Sequence, residues 1–326
     1  MNRLPDFSDV EEAALQISDQ AVRTPLLEND VLNERLGGRI LIKPECLQRT
    51  GSFKFRGAYN RLSRISAEAR GKGVVAFSSG NHAQGVALAG KILGIPVTIV
   101  IPSDAPKIKS DGVRRLGGKV VEYDRATGDR EVISADIVDR TGAILVPSYD
   151  NTFIIAGQGT AGLEVAEDLN AMGIAPDQFV CCAGGGGLVA GCGLAMKHFF
   201  PMCDIWAAEP EGFDDHKKSL AAGGRVTNER KSGSLQDAII TPTPGVLPYQ
   251  LNCKQLAGGV TASDDDTLDA MAFIWEHLKL VAEPGGSTAF ASLLNGQLGT
   301  KGKTTVVLIT GGNVDPAVFK QALDRV

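Results

Sequence analysis

Apolar positions along the chain change from a helical spacing to short apolar runs separated by helical stretches. Residues 7–20 place apolar side chains on one helical face, whereas residues 39–43 alternate between polar and apolar as a strand does. From residue 74 to residue 146, short apolar runs alternate with amphipathic stretches. Strands that alternate with helices predict right-handed crossovers and a parallel sheet that is covered on both faces.

The same alternation continues beyond residue 150, so we predict a second unit of parallel strands and helices. Residues 210–260 are less regular and rich in Gly, Pro and Thr. We expect residues 72–149 to form a smaller domain that meets the remainder across a cleft. The predicted strands are 39–43, 74–77, 97–101, 119–123, 143–146, 179–182, 204–208 and 304–309. The predicted helices are 7–20, the stretch through Tyr59, Leu62 and Ile65, 83–93, 107–116, 129–140, 158–172, 188–199, 265–279, 286–295 and 315–325.

The amino-acid composition indicates the general class of protein but not its function. The 326 residues are 43% hydrophobic and 22% charged, as in an ordinary globular protein of about two domains. The net charge of −5 argues against a nucleic-acid or anionic-membrane partner. No apolar run reaches membrane-spanning length and the N-terminus lacks a signal-like stretch, so we expect a cytoplasmic protein. The six cysteines form no C-x-x-C pair, so we expect mostly buried free thiols.

One lysine, Lys54, lies among small, hydroxylic and aromatic residues between Thr50 and Ala58. We expect Ser52 to cap the following helix, which would place Lys54 in its first turn. The positive end of a helix and the neighbouring phenylalanines would lower the pKa of the Lys54 amine. A neutral amine is the form that reacts with an aldehyde. The alternative for this stretch alone is a solvated surface lysine.

Four consecutive glycines, Gly184, Gly185, Gly186 and Gly187, follow a predicted strand and precede a predicted helix that begins near Leu188. Their backbone N–H groups can approach an anion closely, and the helix dipole favours negative charge there. The loop lacks the Gly-Lys-Ser/Thr of a Walker A motif and the Gly-x-Gly-x-x-Gly spacing. It therefore predicts a phosphate cradle of another kind, with a plain tight turn as the alternative.

Two further polar turns follow predicted strands, Ser78 to His82 and Thr310 to Asp315. Taken alone, the first is also an ordinary helix-capping turn and the second an ordinary Gly-Gly turn. The backbone N–H groups at the first turn could hold a carboxylate.

In this order, the motifs resemble those of the fold-type II pyridoxal-phosphate enzymes, specifically the serine/threonine dehydratase and serine racemase family, which includes 3-hydroxyaspartate dehydratase-like members. The resemblance extends from about Thr24 to Asp315. It implies an α/β fold of two parallel-sheet, three-layer domains, the tryptophan synthase β-like architecture, with the cofactor in the interdomain cleft. It also implies a discontinuous large domain, residues 1–71 and 150–326, around the small domain 72–149.

The resemblance implies a role for each motif. Lys54 would hold pyridoxal 5'-phosphate and remove the substrate α-proton, and Ser79 would act from the opposite face as a racemase's second base. The Thr310 hydroxyl would face the pyridine nitrogen; a neutral partner there suits elimination or racemisation better than transamination. The implied cofactor-binding residues are Lys54, Phe53, Asn81, Gly184, Gly185, Gly186, Gly187, Leu188 and Thr310. The implied substrate-binding residues are Ser78, Ser79, Asn81, His82, Arg130 and Thr241.

An acidic segment, Glu209 to Asp215, matches the part of serine racemase-like members that binds a divalent cation. The match implies that Glu209, the carbonyl of Phe213 and Asp215 hold Mg²⁺, or Ca²⁺ or Mn²⁺, in a structural or activating role. Oxygen ligands are what such hard cations prefer. A solvated acidic face is the alternative. The remaining histidines, His198, His216 and His277, show no metal-ligand spacing.

The family implies an ammonia-lyase that converts a small L-β-hydroxy amino acid, such as serine or threonine, into a 2-keto acid and ammonia. A serine racemase or a threo-3-hydroxyaspartate dehydratase is the alternative within the family. A cysteine synthase-like β-replacement enzyme and a non-catalytic binding protein are the hypotheses from other classes. We further expect a homodimer, a small amino-acid substrate as the partner, no nucleic-acid or membrane partner, and no C-terminal regulatory domain.

Overall fold

Two β-sheets organise the structure, a computed structural model that describes residues 3–78, 80–103, 107–124 and 127–326. The strands are β1 (Leu27–Glu28), β2 (Arg39–Pro44), β3 (Val74–Phe77), β4 (Val97–Pro102), β5 (Lys119–Tyr123), β6 (Ile144–Leu145), β7 (Gln178–Cys182), β8 (Asp204–Pro210), β9 (Leu256–Ala262) and β10 (Thr304–Ile309). The six-stranded sheet has the order β1-β2-β10-β7-β8-β9, and the four-stranded sheet has the order β5-β4-β3-β6. Every pairing is parallel except that of β1 with β2, which is antiparallel.

Helices connect the strands and cover the sheets. They are α1 (Phe7–Ile17), α2 (Asp30–Leu36), α3 (Lys54–Ser63), α4 (Ala67–Arg70), α5 (Asn81–Leu93), α6 (Lys107–Arg115), α7 (Arg130–Thr141), α8 (Thr152–Met172), α9 (Gly187–Phe199), α10 (Asp215–Ala222), α11 (Val246–Gln255), α12 (Asp264–Phe273), α13 (Pro284–Leu294) and α14 (Pro316–Leu323). Short 3-10 turns occupy Glu45–Leu47 and Arg49–Gly51, and a π-helical turn occupies Ile274–Leu278. No helix in the described part of the chain is long and apolar enough to cross a membrane.

The central strands are buried because helices pack on both faces of the sheets. β2, β7 and β10 are buried along nearly their whole length, as expected for strands covered on two sides. Helices α8 and α9 approach closely where Gly159 faces Gly191; a Cβ on Gly159 would lie 2.7 Å from the Gly191 carbonyl oxygen. The predicted α/β fold with parallel sheets is confirmed.

Most predicted elements are present within a few residues, but the section 210–260 was predicted wrongly as irregular. It contains α10, α11 and β9. Strand β9 was missed because Gly258 and Gly259 interrupt its apolar pattern. Gly258 is needed there because a Cβ would lie 2.7 Å from the Trp206 ring of the neighbouring strand. Helix α2 was also missed.

Two helix boundaries differ from their predictions for local reasons. Helix α8 begins at Thr152, six residues earlier than predicted, because the Asn151 side chain accepts hydrogen bonds from the first-turn N–H groups. Helix α12 ends at Phe273, and the chain continues as the π-helical turn until Lys279, whose φ of 57° stops it.

The four-stranded sheet takes all its strands from residues 74–145.

Candidate active site

A cavity of about 690 Å³ opens at the carboxyl ends of strands from both sheets. Ser78 follows β3, Gly184 follows β7 and Thr310 follows β10, so the two sheets deliver their terminal turns to one space. Ser79 lies outside the described residues. The other residues predicted to bind cofactor or substrate all line the cavity: Phe53, Lys54, Ser78, Asn81, His82, Arg130, Gly184, Gly185, Gly186, Gly187, Leu188, Thr241 and Thr310.

Lys54 is the first residue of helix α3 and lines the cavity. Its Nζ donates to the Ser148 carbonyl oxygen at 3.0 Å and lies 5.0 Å from the centre of the Phe53 ring. Burial lowers the pKa of Lys54 to about 8, although the charge of Glu283 opposes the shift. The amine is therefore far easier to deprotonate than an ordinary lysine.

The predicted helix cap at Ser52 is wrong. The residue before α3 is Phe53, whose side chain cannot cap, and Ser52 has extended backbone angles and bridges to Gly311 of the turn after β10. The Ser52 hydroxyl is buried without a hydrogen-bond partner among the described residues. Ser52 pairs with the turn after β10 and therefore does not cap the helix. The sequence alone gives no sign of this long-range contact.

The glycine loop is tightly enclosed, which explains why side chains are absent from it. A Cβ on Gly185 would lie 2.3 Å from the Tyr149 ring, and Gly186 has a φ of 86°. The His216 ring fills the space beside Gly186, where a Cβ would lie 2.2 Å from its Cε1 atom. The loop precedes α9, so its N–H groups and the helix dipole suit a phosphate.

Asn81 is held in one orientation by two neighbours across the cavity wall. Its amide nitrogen donates to the Glu283 carboxylate, and its amide oxygen accepts from Asn313 at 2.7 Å. Asn313 also donates to the Thr50 carbonyl oxygen at 2.7 Å. Sequence reasoning missed Glu283; the Glu283-Pro284 pair that begins α13 marks a helix start but gives no sign of a cavity.

His82 is buried and neutral near pH 7. Burial and the charge of Lys54 lower the pKa of His82 to about 3. Its Nε2 lies 3.0 Å from the Val146 carbonyl oxygen, so Nε2 carries the proton and donates. Nδ1 is left as a buried acceptor, with no partner among the residues that the structure describes. His82 can therefore accept a hydrogen bond in the cavity wall but cannot supply a proton as an imidazolium.

The remaining predicted contacts are spread around the wall. The Thr310 hydroxyl lies 3.3 Å from the Cys182 thiol, which itself donates to the Gly285 carbonyl oxygen at 3.1 Å. The Arg130 guanidinium stacks 5.1 Å from the centre of the Phe77 ring. The Thr241 hydroxyl is buried without a partner among the described residues.

The acidic pair Glu209 and Asp215 lies behind the glycine loop and not in the cavity lining. Both side chains are buried, and the Glu209 carboxylate accepts from the N–H groups of His216 and Lys217 at 2.7 and 2.9 Å. Asp215 accepts from Asn228 at 2.7 Å through one oxygen, and its other oxygen has no partner within the ranges that the structure describes.

Burial, together with the neighbouring charge of Asp215, raises the pKa of Glu209 well above its ordinary value. Burial also raises the pKa of Asp215 to about 7. Phe213, the third predicted cation ligand, is completely buried. No group of three or more His, Cys, Asp or Glu side chains that could hold a metal ion is present among the described residues, so carbonyl and amide oxygens would have to complete a cation site.

The cavity fits pyridoxal phosphate on three observations of this structure. An amine of lowered pKa faces it, a four-glycine loop at a helix start borders it, and the Gln158 side-chain oxygen in its wall is buried without a partner. The volume suits a cofactor with a small substrate.

Comparison with known proteins also indicates a pyridoxal-phosphate dependent enzyme. The family model described as "Pyridoxal-phosphate dependent enzyme" matches residues 17–311. The chain is 37% identical to a serine racemase of Schizosaccharomyces pombe, covering 96% of this chain and 95% of that protein. It is 39% identical to an L-threo-3-hydroxyaspartate ammonia-lyase of Pseudomonas, covering 96% and 97%. The maize serine racemase structure superposes with a TM-score of 0.91 at 33% identity, covering 99% and 98% of the two chains. The predicted family resemblance and fold are confirmed.

Proposed function

Because the chain belongs to the pyridoxal-phosphate dependent enzyme family, we propose that it converts a small L-β-hydroxy amino acid, such as serine or threonine, into a 2-keto acid and ammonia, by eliminating the β-hydroxyl as water and hydrolysing the resulting enamine. The observation that carries this proposal is the placement of Lys54. Its amine, with a pKa of about 8, faces the same cavity as the glycine loop and the turns after β3 and β10. Relatives at 35–39% identity bear the names of ammonia-lyases and racemases of this type.

The cavity residues divide into those that hold the cofactor and those that act on the substrate. Gly184, Gly185, Gly186, Gly187 and Leu188 would bind the phosphate through backbone N–H groups, with Phe53, Asn81 and Thr310 around the ring. Pyridoxal phosphate, when bound, supplies an electron sink that stabilises negative charge on the substrate Cα.

Lys54 would act as the general base. Near neutral pH a useful fraction of its amine is unprotonated, and the Ser148 carbonyl oxygen, 3.0 Å away, holds the nitrogen at the cavity wall. The amine takes the α-proton of the substrate, the β-hydroxyl takes up a proton and leaves as water, and a water molecule then hydrolyses the released enamine to the keto acid and ammonia.

Five described residues are proposed substrate contacts. Ser78 and Asn81 lie at the turn before α5, where N–H groups suit the substrate carboxylate. His82 offers an acceptor, and Thr241 offers a hydroxyl without another partner. Arg130 faces the same cavity and could pair with a second carboxylate.

Racemisation, or elimination from threo-3-hydroxyaspartate, is the second candidate function. Two observations favour it: relatives with these names cover nearly the whole chain, and Arg130 lines the cavity as a cation for an acidic side chain. In this scheme Ser79 would return a proton to the opposite face of Cα.

We also propose that Glu209, Asp215 and the Phe213 carbonyl bind Mg²⁺ or a similar cation. The support is the burial of two carboxylates together with an Asp215 oxygen that has no partner. Such a pair is costly unless a positive charge neutralises it.

The proposed domain division and the proposed homodimer are separate from the chemistry. The four-stranded sheet, built from residues 74–145, supports a small domain at 72–149 and a large domain from 1–71 and 150–326. Light scattering of the purified protein should give twice the chain mass of 34.3 kDa if it is a homodimer.

The function is tested with purified protein loaded with pyridoxal phosphate in the presence of Mg²⁺. It is incubated separately with L-serine, L-threonine and the 3-hydroxyaspartate diastereomers, and keto acid and amino-acid chirality are measured in each tube. Keto acid without inverted amino acid identifies an ammonia-lyase, and an accumulating D-isomer identifies a racemase. The proposal fails if no substrate gives either product, or if Lys54→Ala retains turnover.

A further inference from the structure

One residue contacts both the acidic pair and the glycine loop. The backbone N–H of His216 donates to the Glu209 carboxylate at 2.7 Å, and its ring Nε2 lies 2.9 Å from the Gly184 carbonyl oxygen. A carbonyl oxygen only accepts, so Nε2 carries the proton and donates. Glu209 and Gly184 are therefore joined through a single residue at the start of α10, by its backbone N–H on one side and its ring on the other.

The contact is tight enough to transmit a displacement. His216 is 1% exposed, and its ring lies where any side chain on Gly186 would be, 2.2 Å from the position of a Cβ. A shift of the first turn of α10 must therefore move the ring, and the ring cannot move towards the loop without pushing Gly186. Packed interiors of this density do not absorb such shifts.

The first turn of α10 is itself held by the acidic pair. Both Glu209 oxygens accept backbone N–H groups, those of His216 and Lys217, and Asp215 is the first residue of the helix. Two buried carboxylates repel each other at this helix start. A divalent cation between them would remove the repulsion and fix the turn that carries His216.

Unpartnered oxygens mark the place where such a cation would bind. One Asp215 oxygen and the Asn228 side-chain oxygen are buried without hydrogen-bond partners in the described part of the chain, and Asn228 is only 3% exposed. The Asn228 amide nitrogen donates to Asp215 at 2.7 Å and to the Thr241 carbonyl oxygen at 3.0 Å. The acidic pair therefore also contacts the loop that carries a proposed substrate residue.

We propose that His216 is a positioning residue that couples the acidic pair to the glycine loop, so that a divalent cation at the pair and a phosphate at the loop bind cooperatively. This inference rests on the proposed cofactor and cation sites and adds the residue that connects them. Because coupling between two sites is reciprocal, the cation should tighten phosphate binding by the same factor as phosphate tightens cation binding.

The test measures the dissociation constant of pyridoxal phosphate for the full-length chain in excess Mg²⁺ and in EDTA. The wild-type protein should bind about tenfold more tightly with Mg²⁺, within the usual range of coupling between sites. His216→Leu, which lacks the donor, should reduce this ratio to below about twofold. His216→Gln, whose amide can still donate to Gly184, should retain most of it. The matched control is His277→Gln, on a half-buried ring outside the cavity, which should keep the wild-type ratio.

Calorimetry gives a second readout that does not depend on turnover. The affinity for Mg²⁺, titrated with and without inorganic phosphate, should change by the factor found for pyridoxal phosphate in wild type and should not change in His216→Leu. If His216→Leu does not fold, Glu209→Gln replaces it and should bind pyridoxal phosphate as wild type does in EDTA, with no response to Mg²⁺.

Two results would overturn the coupling. One is a wild-type protein whose affinity for pyridoxal phosphate ignores Mg²⁺, and the other is a folded His216→Leu variant with the wild-type ratio. Both leave the proposed reaction standing if keto acid still forms, whereas failure to bind pyridoxal phosphate under any condition removes the proposed function itself.

Discussion

Two cations in the first turn of helix α3, Lys54 and Arg56, face two buried polar regions of opposite character. Arg56 points into an ion network behind the helix, with Glu45, Glu164 and Lys43. Lys54 points into the cavity in front of it. Both regions are removed from bulk water, so the difference between them lies in how the polar atoms are partnered.

In the ion network every charge is matched. Arg56 is 1% exposed and donates to Glu45 at 2.7 and 2.8 Å and to Glu164 at 2.6 and 2.9 Å. Lys43 reaches Glu164 at 2.6 Å. Burial alone would raise the pKa of Glu45, but the charge and hydrogen bonds of Arg56 outweigh burial and hold that pKa below its ordinary value.

In the cavity and behind its glycine loop, burial outweighs pairing. The pKa of Lys54 is lowered to about 8 and that of Asp215 is raised to about 7, so both groups move towards their neutral forms. Lys54 meets no carboxylate at ion-pair distance among the described residues. The ion network therefore holds α3 in place. The cavity instead keeps polar atoms available for ligands, which lowers the stability of the fold.

The largest effect is expected from Arg56→Met, which leaves the buried Glu45 and Glu164 without their main partner. We expect a loss of about 3–5 kcal/mol in the free energy of unfolding, measured by urea denaturation. The matched control is Arg140→Met on the exposed pair with Asp136, which should cost less than about 1 kcal/mol. Equal losses in the two variants would mean that the network does not hold α3.

A smaller effect on stability is expected from Gly186→Ala in the loop. The methyl group would meet the His216 ring, and a φ of 86° is unfavourable for alanine, so we expect a cost of about 1–3 kcal/mol. Affinity for pyridoxal phosphate, measured by equilibrium dialysis, should fall at least about tenfold, or about 1.4 kcal/mol. Gly224→Ala, at a position with open space and no positive φ, is the control and should change neither quantity.

Lowering the pH should reduce the stability that the ion network gives to the wild-type protein. It should not reduce the stability of Arg56→Met in the same way, because methionine is neutral. The folded-state pKa of Glu45 is lowered, so its stabilisation is present above about pH 4.5 and is lost as pH falls through the lower folded-state pKa. The stability difference between wild type and Arg56→Met should therefore shrink by about 1.4 kcal/mol for each unit of that pKa shift. Urea midpoints from pH 6 to pH 3.5 measure it, and a difference independent of pH would contradict the pairing.

The cavity was more predictable from sequence than the network. The family motifs mark the turns at Ser78, Gly184 and Thr310, so the sequence could place these turns at one site although they follow strands of two different sheets. The partners of Arg56 could not, because Glu45 and Glu164 approach it from separate elements and charged residues usually indicate surface. The sequence also did not reveal the roles of Tyr149, Glu283 and His216, because these roles depend on contacts between residues that are distant in sequence.

The local predictions that failed were those decided by distant contacts. Ser52 has the composition of a helix cap, but its pairing with Gly311 overrides that preference. Strand β9 was hidden because two glycines that accommodate Trp206 and Lys217 break its alternation. Backbone propensity was correct where an element is long and periodic, and it failed where a neighbouring element decides the conformation.

The most direct test of the account is the stability of the Lys54→Met apoprotein against wild-type apoprotein from pH 7 to pH 10. Below about pH 8 both folded and unfolded wild type carry the charge, and the folded state bears the cost of burying it. We predict that Lys54→Met has no turnover yet is more stable at pH 7 by about 1–3 kcal/mol, a gain that closes as pH rises from about 8 towards 10.5. A Lys54→Met protein that is less stable at pH 7, as Arg56→Met should be, would contradict the claim that Lys54 is kept in the cavity for chemistry and not for stability.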